Sequence, residues 1–168
     1  MSIRTEARAK ARETLDAVWK DEGFPVDPIA VARRLGVQVY TANLPDDVSG
    51  MLRKLPLEAA EIYVDTDDPS VRQRFTCAHE VGHYVRHSAA DDGQIAFVDY
   101  RGPRAARGDD PEEVFANEFA AALLMPEDRV RTLHKEGWRD LEMAPYFAVS
   151  LEAAKWRMVN LNLSPARG

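Results

Sequence analysis

Residues Thr76 to His87 read TCAHEVGHYVRH, and within them His79–Glu80–Val81–Gly82–His83 has the form HExxH. On an α-helix, residues four apart stand on one face a turn apart, so His79 and His83 can turn their imidazoles toward one ion. Zinc accepts neutral imidazole nitrogen, and two such ligands with a third leave a fourth position for water. Glu80 then holds a carboxylate beside that water. From there it can take the proton as the metal acidifies the water, and later pass it to a leaving amine. The competing reading is a helix with two surface histidines and a solvated glutamate. Three things decide between them: a helix, a third ligand and a suitable compartment.

The helix is well marked. Asp67–Asp68–Pro69–Ser70 is a strong start signal, and the pattern from there runs unbroken to about His87. Gly82, without a side chain, lets another element pack closely against it. His87 extends the row but lies about 12 Å along the axis from His79. It cannot share the ion, and a place near the helix C-terminus suits a residue able to carry positive charge. A histidine third ligand of the HExxHxxGxxH kind is excluded, because Arg86 and Ala89 stand where the glycine and histidine would be.

The third ligand is therefore expected from the later segment PEEVFANEFAAALLM, a helix opened by Pro111 and ended by Pro126. Its candidates are Glu112, Glu113 and Glu118. Glu113 and Asn117 share a face with Ala120, Ala121 and Leu124, the face that should pack inward. Glu112 points elsewhere and Glu118 shares the face less well. An acid on a buried face is costly unless paired or bound to metal, which favours Glu113. Asn117 then serves to hydrogen-bond a ligand histidine and fix its tautomer.

The remaining organisation follows from local signals. The pattern predicts a helix over Thr5–Lys20 stopped by Gly23, and a second after the Asp27–Pro28 start with Gly36 at its exit. Short strands are predicted at Val37–Tyr40, Gly50–Leu55 and Glu61–Asp65, with a hairpin turn at Pro56–Glu58. Ala89–Asp110 reads as an irregular connection with a short strand at Ile95–Tyr100. Helices are expected near Glu127–Lys135 and Leu141–Ala148, and from the Ser150 cap to Leu161, before a frayed SPARG end.

Composition narrows the class. A chain of 168 residues that is 45% hydrophobic and 30% charged fits one soluble domain. No apolar run approaches a membrane span, and the N-terminus lacks the apolar core of a secretory signal. Cys77 is the single cysteine, so no internal disulfide forms, and a reducing cytoplasm is the expected location. Two residues before His79, it lies on another face of the helix and reads as core packing. The net charge of −6 argues against nonspecific DNA binding. Basic residues concentrate at Arg4, Arg8, Lys10, Arg12, Arg33 and Arg34, and interspersed charges of this kind solvate a helix face.

RFTCAHEVGHYVRH at Arg74–His87, with EEVFANEFAAALLMP at Glu112–Pro126, resembles the ImmA/IrrE family of bacterial metallo-endopeptidases. The resemblance spans about Val26 to Arg131. It implies His79, His83 and Glu113 as metal ligands and Glu80 as the catalytic base. It implies a zincin-like α+β fold, with a small, mainly antiparallel sheet beside the active-site helix and a helical C-terminal part. Where the family often has an acid two before the Asn, this chain has Phe115. The expected division is an N-terminal helix at 1–25, a peptidase core at 26–131, and C-terminal helices of the same domain at 132–168. Family members typically cleave a helix-turn-helix repressor encoded beside them. With no helix-turn-helix domain or sensor domain of its own in the sequence, this chain resembles the minimal form, dependent on a separate partner.

The leading reading is a cytoplasmic zinc-dependent endopeptidase that cuts a helix-turn-helix repressor or antitoxin and contacts neither nucleic acid nor membrane. The alternative is a non-catalytic regulatory or toxin–antitoxin partner of such a protein, and a third is a small-molecule hydrolase on the same site. Zinc suits two imidazoles and a carboxylate, and manganese or iron also fits. Tyr84, Tyr100, His87 and His134 are all chemically able to stabilise an oxyanion. Substrate is expected to add to a sheet edge made by one of the two strands before the helix, with Ile62 and Val64 inward and Tyr63 and Asp65 outward.

Overall fold

The helix punctuation in the sequence is used as written. In the computed structural model, which describes residues 1–88, 93–101 and 110–163, α1 (Ile3–Val18) starts at Ser2, whose hydroxyl accepts from Thr5 N–H at 3.1 Å. α2 (Pro28–Arg34) is capped by Asp27, which accepts from the N–H groups of Ile29 and Ala30. Strands β1 (Gln38–Ala42), β2 (Val48–Lys54) and β3 (Glu61–Asp65) lead into the long helix α3 (Ser70–Ser88), with the HExxH motif in its middle. After β4 (Ile95–Tyr100) comes α4 (Pro111–Leu124), capped by Asp110. The chain ends in α5 (Glu127–Lys135), α6 (Asp140–Phe147) and α7 (Leu151–Asn160). The 89–92 and 102–109 parts of the irregular connection, and the SPARG end, lie outside the described residues.

The four strands form one sheet in the order β1-β3-β2-β4. β2 pairs antiparallel with both β3 and β4, while β1 lies parallel to β3. The fold is thus a single α+β domain with a mostly antiparallel sheet, as expected. Strand order overturns one expectation: β2 and β3 are both interior, and the edges are β1 and β4. The hairpin before α3 cannot offer a free edge, because the parallel strand β1 covers its outer side. Ile62 and Val64 do face the core and Tyr63 is half-buried, but Asp65 is buried rather than outward. There it shares Arg101 with Asp68, at 2.8 and 2.7 Å, and pins the chain just after β4 to the loop before α3.

α3 lies on β2 and β3, α4 packs behind α3, and α1 packs behind α4. α4 is therefore buried nearly all round after its first turn, with Phe115, Ala116, Glu118, Phe119 and Ala120 through Leu124 all inside. One consequence falls on the N-terminal arginines, expected to be a solvated face. Arg4 and Arg8 instead reach the buried Glu118 at 3.0 and 2.6 Å. Another is the need for Gly82. A Cβ there would stand 3.1 Å from Phe119 Cβ and 3.2 Å from the Ala116 Cα. Gly82→Ala should cost about 1–3 kcal/mol by overpacking, read as a lowered thermal midpoint; an unchanged midpoint would show that α3 and α4 can separate freely.

Candidate metal centre

Three elements converge on one point. α3 supplies His79 and His83, both buried, and carries the fully buried Glu80 next to His79. The first turn of α4 brings Glu113 against both imidazoles: Oε2 is 3.2 Å from His79 Nε2, and Oε1 is 3.3 Å from His83 Nε2. One turn on, Asn117 Oδ1 lies 2.8 Å from His79 Nδ1, so it accepts from that nitrogen and leaves Nε2 turned to the cluster. This is the orienting contact expected of Asn117.

The fourth member comes from β4 and was not foreseen. Successive side chains of a strand face opposite sides, so Ile95, Phe97 and Asp99 share the face that looks at α3. The Phe97 ring lies flat on His83, with centroids 4.0 Å apart. Asp99 Oδ1 reaches His79 Nε2 at 2.9 Å. Ligand atoms of His79, His83, Asp99 and Glu113 all lie within 4.8 Å of one another, a grouping able to hold a metal ion. The alternation in IAFVDY carried this signal, but Asp is depleted in strands and the segment ranked only as a short strand in a loop.

The electrostatics favour positive charge at this point. Burial works against a charged His79, yet Asp99 and Glu113 outweigh it and lift the imidazole to about 10. At His83 burial prevails and lowers its pKa. Burial raises Asp99 against the pull of His79. Burial also opposes ionisation of Glu113, but its contacts with His79 and His83 hold it well below the usual carboxylate range. Several groups remain unsatisfied within the protein. Among the described residues, both oxygens of the fully buried Glu80 and Asp99 Oδ2 have no hydrogen-bond partner, and the ring nitrogens of His83 have only carboxylates at 3.3 Å or more, none in hydrogen-bonding geometry. Buried polar atoms are costly without partners. Two imidazoles, two carboxylates and these orphaned atoms fit a divalent ion of the zinc class.

The other candidates are not part of the cluster, though Glu112 Oε2 comes within 4.0 Å of His83 Nδ1 on the far side of the ring. Glu112 turns to His87, 2.7 Å away, and to Arg86 at 3.6 Å, which also accounts for His87 near the end of α3. Glu118 faces the opposite side of α4. Glu113→Ala should therefore weaken metal binding far more than Glu112→Ala, as measured by competition with a chelator; equal losses would remove Glu113 from the site. Cys77 is buried in the core, and burial pushes its thiol up to about 12. Of the four residues able to stabilise an oxyanion, Tyr100 alone lines the cleft above the cluster. That cleft, of about 620 Å³, has His79, Asp99, Glu113 and Asn117 at its base and Phe75 and Trp156 among its walls. Gly50 of β2 leaves room for the Glu80 side chain: a Cβ there would press on Thr76 and stand 3.4 Å from Glu80 Oε1.

No helix among the described residues is long and apolar enough to cross a membrane. None of the curated proteins matches the chain. The family model Peptidase M78, described as the IrrE N-terminal-like domain, matches residues 32–159. That span takes in the whole sheet, both motif helices and nearly all of α7, and with them every residue of the cluster, so the chain belongs to the IrrE N-terminal-like peptidase family.

Proposed function

We propose that this chain is a cytoplasmic zinc-dependent endopeptidase that hydrolyses a peptide bond in a partner protein, a helix-turn-helix repressor or antitoxin. The observation that carries the reading is Glu80: a fully buried carboxylate with both oxygens unpartnered, next in the helix to His79 of a cluster of two histidines and two acids. A structural glutamate at such a position would have a cationic or N–H partner; a general base needs its oxygens free.

His79, His83 and Glu113 would hold the ion, with manganese or iron as alternatives to zinc. A zinc-class ion in such a site supplies Lewis acidity and brings a water within reach of deprotonation near neutral pH. Glu80 takes the proton from the attacking water and returns it to the nitrogen of the departing amine. Asn117 holds the His79 ring in place through Nδ1, and Phe97 holds that of His83. An extended substrate gains main-chain hydrogen bonds by adding to a sheet edge. β4 is the edge that carries a residue of the cluster, so it takes over the docking role expected of the strands before α3. The substrate side chain beside the cut would then enter the cleft between Phe75 and Trp156.

The test is co-incubation with helix-turn-helix repressors and antitoxins of the same genome, with zinc or manganese, with a chelator, and with Glu80→Gln. A metal-dependent cut that the variant fails to make is the expected result. A stable complex with no cut under any metal would instead favour the non-catalytic partner.

A further inference from the structure

Asp99 sets a fourth protein donor beside the three ligands that the sequence offers an ion. Four donors at about 2.0–2.2 Å from one ion, at tetrahedral angles, stand about 3.3–3.6 Å from one another. Glu113 lies 3.2 Å from His79 Nε2 through Oε2 and 3.3 Å from His83 Nε2 through Oε1, and Asp99 Oδ1 lies 2.9 and 3.8 Å from the same two nitrogens. These separations bracket the tetrahedral edge. A hydrogen bond from His79 would explain the 2.9 Å contact by itself. It would not explain why Asp99 Oδ2 is left without a partner, nor why His83 Nε2 stands 3.3 Å from Glu113 and 3.8 Å from Asp99 without a hydrogen bond to either.

We propose that Asp99 is a fourth protein ligand of the ion, closing in the resting protein the position that the attacking water needs. The inference rests on the metal site proposed above. It makes the peptidase latent, with a built-in means of release. Asp99 sits on an edge strand, held on one side by β2, at a place where the register between the two strands shifts around Ser49. The Ser49 hydroxyl donates to the Asp99 carbonyl at 3.3 Å. Just beyond, Arg101 donates to the Val48 carbonyl at 2.8 Å and pairs with Asp65 and Asp68. The backbone around Asp99 is thus held at the bulge, while its carboxylate is held through the cluster. A chain that adds to the free edge of β4 pulls on the strand carrying this ligand. Docking of substrate and opening of the site become one event, so a short peptide that does not engage β4 is a poor substrate.

Cobalt(II), whose visible absorption reports its coordination, gives a test independent of turnover. The cobalt-loaded wild type and Asp99→Ala are titrated with thiocyanate, an anion that binds open positions. The wild-type spectrum should stay unchanged at concentrations that saturate the variant, and Asp99→Ala should hold cobalt at least about 10-fold more weakly, since losing even a contact that only supports a ligand costs about 10–100-fold. A saturable shift of the wild-type spectrum by millimolar thiocyanate overturns the proposal, and this needs no folded variant. Should the wild type take up neither cobalt nor zinc, or His83→Ala take them up equally well, the metal site itself falls. That outcome is distinct from an open site in a protein that binds the ion.

Discussion

Glu118→Ala should lose about 3–5 kcal/mol of stability, the cost of leaving a buried charge unpaired. Glu118 is fully buried within α4 and faces α1 and α7. Its carboxylate takes Arg8 at 2.6 Å, Arg4 at 3.0 Å and Arg157 at 3.5 Å. Arg4 and Arg8 are partly exposed and can turn to water when Glu118 is gone. Arg157 is 1% exposed and cannot. Its Nε donates to the Met125 carbonyl, but Nη2 has no partner among the described residues. Burial already lowers Arg157 to about 10, with Glu118 the main opposing influence. For a chain of this size the loss corresponds to a fall of about 6–20 °C in thermal midpoint. Replacing both buried partners, as in Glu118→Leu with Arg157→Met, should recover most of it, because an apolar pair needs no compensation. A single variant within 1 kcal/mol of wild type, on the scale of an exposed pair, would show that these charges are solvated in solution.

The same residue shows where the sequence was legible and where it was not. Capping signals and periodicity act over a few residues, so the predicted elements appear close to their expected ends: Asp27 caps α2, Pro111 opens α4, and Ser150 caps α7. The spacing of His79, His83, Glu113 and Asn117 is a property of two helices, and helix geometry is fixed locally. Strand order is not local. Nothing in EIYVD distinguishes an interior strand from an edge, and the parallel pairing of β1 depends on where α2 sets the chain down. A buried acid needs a partner, and this holds equally for Glu118, since α1 covers the face of α4 that one-sided amphipathicity leaves to solvent. Asp99 was hidden for a related reason. Its role depends on β4 crossing to the far side of β2, a pairing between segments about fifty residues apart.

Glu80→Gln should slow cleavage of the partner protein by about 10²–10⁴-fold, the range for loss of a positioned general base. Glutamine keeps the shape of the side chain but cannot hold the proton taken from water. The separating power of the experiment comes from the surroundings of Glu80. Neither of its oxygens is hydrogen-bonded to the protein, and the side chain is fully buried. The substitution therefore removes no native contact, and it replaces a buried, unpaired carboxylate with a neutral amide that is cheaper to bury. The variant should be at least as stable as the wild type, and metal content should be unchanged, because His79, His83, Asp99 and Glu113 remain. A gain in stability with a loss of rate marks a residue kept for chemistry at the expense of the fold. Three measurements on one preparation decide it: initial cleavage rate, metal per chain and thermal midpoint. Loss of rate together with loss of metal or a lower midpoint would assign Glu80 a structural role. An undiminished rate would remove it from the reaction.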